Sequence, residues 1–295
     1  MKVAIIGGSG FVGTNLIKAL KENHDVTNID IATSIERTNF IKCNITDEEA
    51  VNKIFKNELK DTDVVVHLAA LSRETISNKE PVLYFKVNVN GTFNVLNACL
   101  DTNIKNFVFA SSYLVYGNSN EEKVNETHQL QPKSVYAATK VCGEAIANSF
   151  NHIYGINTVS LRKCVIYGEN DPQKRVVNLF IDAAKESKDI TVFGDKILDF
   201  LYIGDAVNAY INAINYKKTD TFNIGSGKGY SLREIAEIIK SKMNSKSKIL
   251  QLEPREGEVT RFIADITKAR EKLKFIPNGN LMDFIERQCL KNVSK

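Results

Sequence analysis

The 295-residue sequence has no tryptophan, only five prolines and five cysteines, and no long hydrophobic run. Its first apolar run, Val3–Ile6, is four residues long and meets glycine at once, which is too short for a signal peptide or a membrane span. The cysteines form no C-x-x-C pair and no cluster with histidine, so neither a disulfide framework nor a zinc site is indicated. We therefore expect a cytoplasmic protein without metal and without membrane association.

The chain also has no large excess of positive or negative charge. The 39 lysines and arginines exceed the 35 acidic residues by four, and no basic stripe stands out, so we expect no nucleic-acid binding. A content of 43% hydrophobic and 25% charged residues is typical of folded proteins and excludes a disordered or fibrous chain. The length fits one large α/β unit or two domains.

Short β-branched runs alternate with amphipathic stretches through the first two-thirds of the chain. This alternation, with strands that are apolar throughout, predicts an α/β fold whose parallel sheet is covered on both faces. The predicted strands are Lys2–Ile6, Asp25–Ile29, Thr38–Lys42, Val64–Leu68, Phe107–Ala110 and Thr158–Leu161.

After Tyr167 the pattern becomes less regular, which predicts a smaller lobe packed against the carboxyl edge of the sheet. Ser231 and Glu234 have the spacing of a capping box and place a helix start there. The remaining predicted elements are helices near Val177–Lys185, Asp205–Ile214, Leu232–Lys242 and Thr267–Leu273, and strands at Ile190–Phe193 and Phe222–Ile224.

Glycines at 7, 10 and 13 follow the first strand directly and open the first helix. A loop of this kind brings backbone close to a pyrophosphate, which the helix N-terminus then holds. Asp30 ends the second strand, where a carboxylate accepts hydrogen bonds from the adenosine ribose and repels a 2′-phosphate. Since Ile31 and Ala32 offer no cation for such a phosphate, the sequence predicts NAD(H) rather than NADP(H).

Of the ten tyrosines, only Tyr136 has a lysine, Lys140, four residues further on. On a helix this spacing puts both side chains on one face, where the ammonium and a bound nicotinamide cation would lower the pKa of the phenol. Ser112 follows the strand Phe107–Ala110 and can hydrogen-bond the oxygen that is oxidised or reduced. These residues predict a catalytic site for hydride transfer.

As an ordered set, these motifs resemble the extended short-chain dehydrogenase/reductases, and within them the NAD-dependent nucleotide-sugar epimerase/dehydratase family, whose members include UDP-glucose 4-epimerases. The resemblance extends from Lys2 to about Asp265. The residues that carry it are the three glycines, Asp30, His67–Ala70, Asn88–Thr92, Ser111–Gly117, Tyr136 with Lys140, Arg162 with Tyr167–Gly168, and Phe222–Gly225.

The resemblance implies a Rossmann-type, doubly wound parallel sheet with a small C-terminal α/β substrate lobe. The NAD-binding domain would comprise residues 1–167 with 199–225 returning to it, and the lobe residues 168–198 and 226–295. Tyr136 would be the general base and acid, Lys140 would hold the nicotinamide ribose, and Ser112 would orient the reacting oxygen.

The resemblance also assigns binding residues. Those implied for NAD are Gly7, Ser9, Gly10, Phe11, Val12, Gly13, Asp30, Ile31, Asn44, Ile45, Leu68, Ala69, Ala70, Asn88, Tyr136 and Lys140. Those implied for a nucleoside-diphosphate sugar are Ser112, Tyr113, Arg175, Phe193, Arg255 and Glu258.

Departures from the family pattern reduce the number of reactions that the chain could catalyse. The 4,6-dehydratases resemble one another in carrying a carboxylate directly after the catalytic serine or threonine, whereas this chain has Tyr113 and Leu114, which disfavours dehydration. Val165 and Leu198 replace a usual asparagine and arginine of the substrate site, for which Arg175 or Lys174 could compensate. A 4-epimerase is the favoured function, with a 4-dehydrogenase, a 4-ketoreductase or a non-catalytic NAD-binding sensor as the alternatives.

A homodimer is implied only by the resemblance, because related proteins pair through the helix that bears the Tyr-x-x-x-Lys motif and the helix before it. Apolar residues at those two helices could supply the contacts, although packing within one chain would explain each of them equally well. They are Val95, Leu96, Cys99, Val141, Ala145, Ile146 and Phe150.

Overall fold

A computed structural model of the chain describes residues 1–33 and 36–293. Over these residues no helix is long and apolar enough to cross a membrane. Within the same ranges, no three metal-ligating side chains come together, and the five cysteines are free.

A seven-stranded sheet, parallel throughout, forms the centre of the molecule, in the order β10-β6-β5-β4-β1-β2-β3. The strand order reverses between β1 and β4, and ligands of such sheets bind at the carboxyl ends beside this switch point. The predicted Rossmann-type fold is confirmed, and every strand predicted before Tyr167 lies in this sheet. The strands are β1 (Lys2–Ile6), β2 (Asp25–Asp30), β3 (Asn39–Lys42), β4 (Val64–His67), β5 (Asn106–Ser112), β6 (Asn157–Lys163) and β10 (Asp220–Ile224).

Helices cover both faces of the sheet, which explains why β1 and β4 carry consecutive apolar residues, Val3–Ile6 and Val64–Val66. In β1, Val3 and Ile5 belong to one core, whereas Ala4 and Ile6 belong to a second core on the opposite face. The helices before residue 200 are α1 (Phe11–Leu20), α2 (Glu48–Glu58), α3 (Glu74–Ser77), α4 (Pro81–Phe85), α5 (Gly91–Asp101), α6 (Val135–Tyr154) and α7 (Val176–Lys185), with a π-helical turn at Lys86–Asn90 and a 3₁₀ turn at Tyr113–Tyr116.

The rest of the chain adds two small sheets, one of β7, β9, β11 and β13 and one of β8 and β12. As predicted, Ser231 caps α9, since its hydroxyl accepts a hydrogen bond from the Glu234 N–H. The strands are β7 (Val165–Tyr167), β8 (Ile190–Phe193), β9 (Ile197–Tyr202), β11 (Gly229–Ser231), β12 (Ile249–Leu252) and β13 (Arg261–Phe262). The helices are α8 (Ile203–Tyr216), α9 (Leu232–Lys242), α10 (Thr267–Lys272) and α11 (Leu281–Val293).

Residues 199–225, which are predicted to return to the NAD-binding domain, are divided between a small sheet and the main sheet. Residues 199–202 continue β9 in a small sheet, whereas α8 packs on the main sheet and β10 forms its edge. We therefore propose that the return to the Rossmann domain begins with α8 rather than at Asp199.

Three residues predicted for a dimer contact cannot take part in one. Val95, Leu96 and Cys99 of α5 are fully buried in one core of the sheet, together with residues of α2 and α6. Phe150 of α6 is also buried, at 7% exposure.

Candidate active site

The glycine loop between β1 and α1 is built for close approach. Gly7 has a φ of +87°, and a Cβ there would lie 2.4 Å from the backbone nitrogen of Ala69. At Gly10, by contrast, a Cβ would meet nothing nearer than a carbonyl oxygen at 3.6 Å, so this side of the loop is open. Gly10 caps α1 without a side chain, which leaves the first amides of the helix free for an anion.

Asp30 lies beside this loop at the end of β2. Its carboxylate accepts hydrogen bonds from the N–H groups of Ser9, at 3.0 Å, and Ala32, at 3.2 Å. The Ser9 hydroxyl in turn donates to the Ala32 carbonyl, so hydrogen bonds fix the glycine loop against the end of β2. The half-buried carboxylate is thus fixed where an adenosine ribose would lie.

A cavity, here called the cofactor cavity, runs from the glycine loop to the ends of β5 and β6. It brings together most of the predicted site. Its walls include Gly7, Gly10, Phe11, Val12, Gly13, Leu68, Ala70, Ser112, Tyr113, Tyr136, Lys140 and Arg175. Tyr210 also lines it, and its buried hydroxyl has no hydrogen-bond partner within residues 1–33 and 36–293. The open loop, the free helix amides and Asp30 together fit NAD.

Several residues predicted to contact the cofactor do not line this cavity. Ile31 is 65% exposed beyond Asp30, and Asn44 is exposed after β3 with its side chain bonded to Thr46. Ile45 is buried under Gly91, and Ala69 abuts Gly7 through its backbone.

The side chain of Asn88 is held by hydrogen bonds within the chain. Its side chain accepts from the Leu71 N–H, at 2.8 Å, and donates to the Leu71 carbonyl and the Thr139 hydroxyl, each at 3.0 Å. It therefore joins the loop after β4 to α6, and it is not among the residues that line the cofactor cavity.

The three predicted catalytic residues meet at one end of the cofactor cavity. Ser112 ends β5, Tyr136 lies in the first turn of α6, and Lys140 follows one turn later, with exposures of 7%, 7% and 4%. Two hydroxyls fix the start of α6: Ser134 accepts from the Ala137 N–H and Ser77 from the Tyr136 N–H. The Lys140 ammonium nitrogen lies 5.8 Å from the centre of the Tyr136 ring.

Burial dominates the protonation of this pair. It raises the pKa of Tyr136 to about 12, against the opposing effects of a hydrogen bond with Ser112 and the charge of Arg175. Burial also lowers the pKa of Lys140 to about 8, against the charge of Glu144. Tyr136 therefore needs further positive charge nearby to work as a base at neutral pH, and below about pH 8 Lys140 carries one.

A buried ion pair fixes α6 against the strands that it serves. Glu144, one turn beyond Lys140, pairs with Arg162 of β6 at 2.6 Å and accepts a hydrogen bond from Ser111 of β5 at 2.5 Å. Arg162 also donates to the Tyr116 hydroxyl at 2.7 Å. The helix that bears Tyr136 and Lys140 is thus tied to the end of β5, where Ser112 lies.

A second cavity, here called the substrate cavity, adjoins the first and shares Tyr113, Val165 and Arg175 with it. The remaining predicted substrate residues, Phe193, Arg255 and Glu258, all line it. The Arg255 guanidinium lies 3.8 Å from the centre of the Phe193 ring. The cofactor cavity thus adjoins a substrate cavity that carries Arg175 and Arg255, two cations of the kind that bind a diphosphate.

The departures from the family pattern also line these cavities. Val165 and Leu198 place apolar side chains on the substrate cavity, and Tyr113 packs against Phe262 with ring centres 5.0 Å apart. Arg175 faces both cavities and pairs with Asp171 at 2.6 Å. Lys174 instead points outward and pairs with Asp182, so of these two cations only Arg175 lines the cavities.

Sequence reasoning missed two charged residues of the site, Lys163 and Glu74. Lys163 is the register partner of Ser112, so both side chains point to the same side of the sheet, and its amine donates to the Ser111 carbonyl at 2.6 Å. Burial, with the charges of Lys140 and Arg175, holds the pKa of Lys163 well below its usual range. Its place at the end of β6, beside the strand that ends in Ser112, was the signal that could have revealed it.

The comparisons with known proteins agree with this geometry. The model of the NAD dependent epimerase/dehydratase family matches residues 3–225. A Methanocaldococcus jannaschii protein, provisionally named UDP-glucose 4-epimerase, is 36% identical over 97% of this chain and 96% of its own.

Two solved structures are similar over nearly the whole length. The UDP-glucose 4-epimerase of Thermotoga maritima with UDP-glucose is 28% identical, covers 98% of both chains and has a TM-score of 0.91. The UDP-glucose 4-epimerase of Thermus thermophilus with NAD is 26% identical, covers 99% of both chains and has a TM-score of 0.90. By the matched family model, and by a cofactor cavity in which Ser112, Tyr136 and Lys140 meet, the chain belongs to the NAD dependent epimerase/dehydratase family.

Proposed function

We propose that the protein is an NAD-dependent nucleotide-sugar 4-epimerase. The observation that carries this proposal is the junction of the two cavities: Ser112, Tyr136 and Lys140 line the cofactor cavity, Arg255 lines the substrate cavity, and Arg175 lines both. NAD is the cofactor, and the relatives named for UDP-glucose 4-epimerase support a UDP-sugar as the substrate.

The roles follow from the positions of the residues. NAD, held by the glycine loop and the first amides of α1, would supply reversible hydride transfer with a carbon of the sugar ring. Tyr136 accepts the proton of the C4 hydroxyl, and Ser112 holds that oxygen by a hydrogen bond. The Lys140 ammonium stabilises the phenolate of Tyr136, and Tyr136 gives the proton back when the keto sugar is reduced on its other face.

Position 113 supports epimerisation over dehydration. Elimination of water needs an acid and a base of its own, but Tyr113 and Leu114 follow Ser112 directly. Burial and nearby Glu74 hold the pKa of Tyr113 well above its usual range, so it does not ionise near neutral pH. The site therefore has the groups for proton transfer at C4 and no carboxylate directly after Ser112.

The test is isomerisation of UDP-glucose by the NAD-loaded protein, followed by NMR of the sugar together with NADH absorbance. Replacement of Tyr136 by Phe should lower the rate by about 10³-fold, since it removes the proton-transfer group. Tyr216→Phe, a matched change on α8 outside both cavities, should leave the rate unchanged. Equal rates for the wild type and Tyr136→Phe would contradict the proposal, and NADH accumulation without isomerisation would indicate a dehydrogenase.

We further propose a homodimer in the cytoplasm. Five free cysteines support a reducing compartment. Phe93 of α5, with Ile153 and Tyr154 of α6, supports pairing, because these apolar side chains are 45%, 66% and 44% exposed. They lie on the two helices through which the resemblance implies contact, although they are not the residues predicted for it.

A further inference from the structure

Glu74, the first residue of α3, is a charged residue of the substrate cavity that the mechanism above does not use. Its side chain lies near Ser134, with which it shares a hydrogen bond, and near Tyr113. It therefore belongs to the end of the cavity that adjoins the catalytic residues.

The charge of Glu74 is only partly compensated. A hydrogen bond with Ser134 and the charge of Lys196 favour its ionised form, whereas burial and the charge of Glu258 raise its pKa. One carboxylate oxygen, Oε1, is shielded from solvent and has no hydrogen-bond partner within residues 1–33 and 36–293. Glu258 of the same cavity is different, since its carboxylate pairs with Lys196 at 2.6 Å and accepts from the Arg255 N–H at 2.9 Å. A buried polar oxygen without a partner calls for a donor from a bound molecule.

Glu74 lines the substrate cavity together with Tyr113, which also lines the cofactor cavity with Ser112 and Tyr136. In keeping with this position, its negative charge raises the pKa of both Tyr113 and Tyr136. Arg255 lies elsewhere, over Phe193, and Arg175 is paired with Asp171. An anionic group on the sugar would thus meet a carboxylate in a poorly solvated space.

We propose that Glu74 makes the site select nucleotide sugars whose sugar carries no anionic substituent, and that its carboxylate accepts a hydrogen bond from a sugar hydroxyl or amino group. This inference rests on the proposed function. It goes beyond it because family membership leaves the class of sugar open.

UDP-glucose and UDP-glucuronate test it, since they differ only at C6, which is a hydroxymethyl group in the first and a carboxylate in the second. Dissociation constants are measured by calorimetry on the NAD-loaded protein, and the catalytic efficiency for epimerisation at C4, kcat/KM, is measured by NMR. The wild type should favour UDP-glucose by about 30-fold or more, because like charges oppose each other there. Glu74→Gln, which keeps the shape and removes the charge, should narrow that ratio at least about 10-fold.

The control is Glu49→Gln, an exposed change on α2 that should leave the ratio as in the wild type. Because both ligands share the UDP moiety, a general loss of folding or of nucleotide affinity cancels in the ratio. Equal use of both sugars by the wild type, or an unchanged ratio in Glu74→Gln, would overturn the inference while the 4-epimerase proposal stands. If neither ligand binds, both proposals fail together.

Discussion

At the scale of single residues, Lys163 changes the electrostatics of the catalytic end of the cofactor cavity. Its amine enters a space already shared by the charges of Lys140 and Arg175, with Tyr136, Tyr113, Cys164 and Tyr210 as the other titratable groups. A second amine beside a phenol lowers the pKa of the phenol when it is protonated and has no such effect when it is neutral. Lys163 is therefore expected to influence the pH at which Tyr136 begins to work as a base.

Substitution of Lys163 tests this influence. In Lys163→Arg a fixed positive charge stabilises the phenolate of Tyr136, so the acidic limb of the kcat profile should move to lower pH. In Lys163→Met the charge is absent and the limb should lie about one pH unit higher than in the arginine variant. Lys42→Met, an exposed change at the end of β3, is the control. Coincident pH profiles for the two Lys163 variants would assign Lys163 a purely structural role.

At the scale of elements, the ion pair of Glu144 and Arg162 joins α6 to β6, and Ser111 joins it to β5. Both charged side chains are nearly inaccessible, at 7% exposure for Arg162 and 5% for Glu144, so each depends on the other for compensation. Because Glu144 lies one turn from Lys140, the same carboxylate also supports the charge of the catalytic lysine.

Glu144→Gln should therefore have two effects. Arg162 would lose its partner while buried, which should lower the free energy of unfolding by about 3 kcal/mol, measured by denaturant titration. The pKa of Lys140 would fall below about 8, because the carboxylate that raises it is gone. The alkaline limb of the activity profile should therefore shift to lower pH. Glu237→Gln, which breaks an exposed pair with Arg233, should change neither measurement. An unshifted alkaline limb in Glu144→Gln would contradict the electrostatic part of this account.

The elements also show how far the sequence could predict the structure. Strands such as β1 and β4 were predictable because both faces of the central sheet are buried and each strand therefore has consecutive apolar residues, Val3–Ile6 and Val64–Val66. The two-residue strand β13 and the short β12 were not predictable, since their pairing partners are distant in sequence and no periodicity marks them.

In the candidate site, too, some residues could be predicted from the sequence and others could not. Residues in spaced motifs, such as Tyr136 with Lys140, could be placed in advance because the spacing itself fixes a helix face. Lys163 and Glu74 could not, since a single charged residue at an element end has no local pattern and acquires its place only from the packing of distant elements. Asn88 is predicted as a cofactor ligand, and its hydrogen bonds to Leu71 and Thr139, which join the loop after β4 to α6, have no local sequence signal.

At the scale of the whole molecule, the exposed apolar residues on α5 and α6 bear on assembly. The rings of Phe93 and Phe150 meet edge to face at 5.9 Å, and that of Tyr154 meets Phe150 at 5.2 Å, so the exposed side chains continue the buried core outward. Covering such an apolar face with a second apolar face removes both from water, which favours association of the two. In a two-fold dimer the same helices of a second copy would provide that face.

The wild type should therefore sediment as a particle of twice the 33.0 kDa chain mass. Replacing both Phe93 and Ile153 by Asp should yield monomers, because the introduced charges of both copies would face one another across the two-fold axis. Ile276→Asp, an equally exposed apolar position at 65% exposure away from α5 and α6, should leave the dimer intact. Neither change lies in the cavities, so NAD binding reports that the variants are folded. A wild type that sediments at 33.0 kDa at all concentrations would rule out pairing through this face.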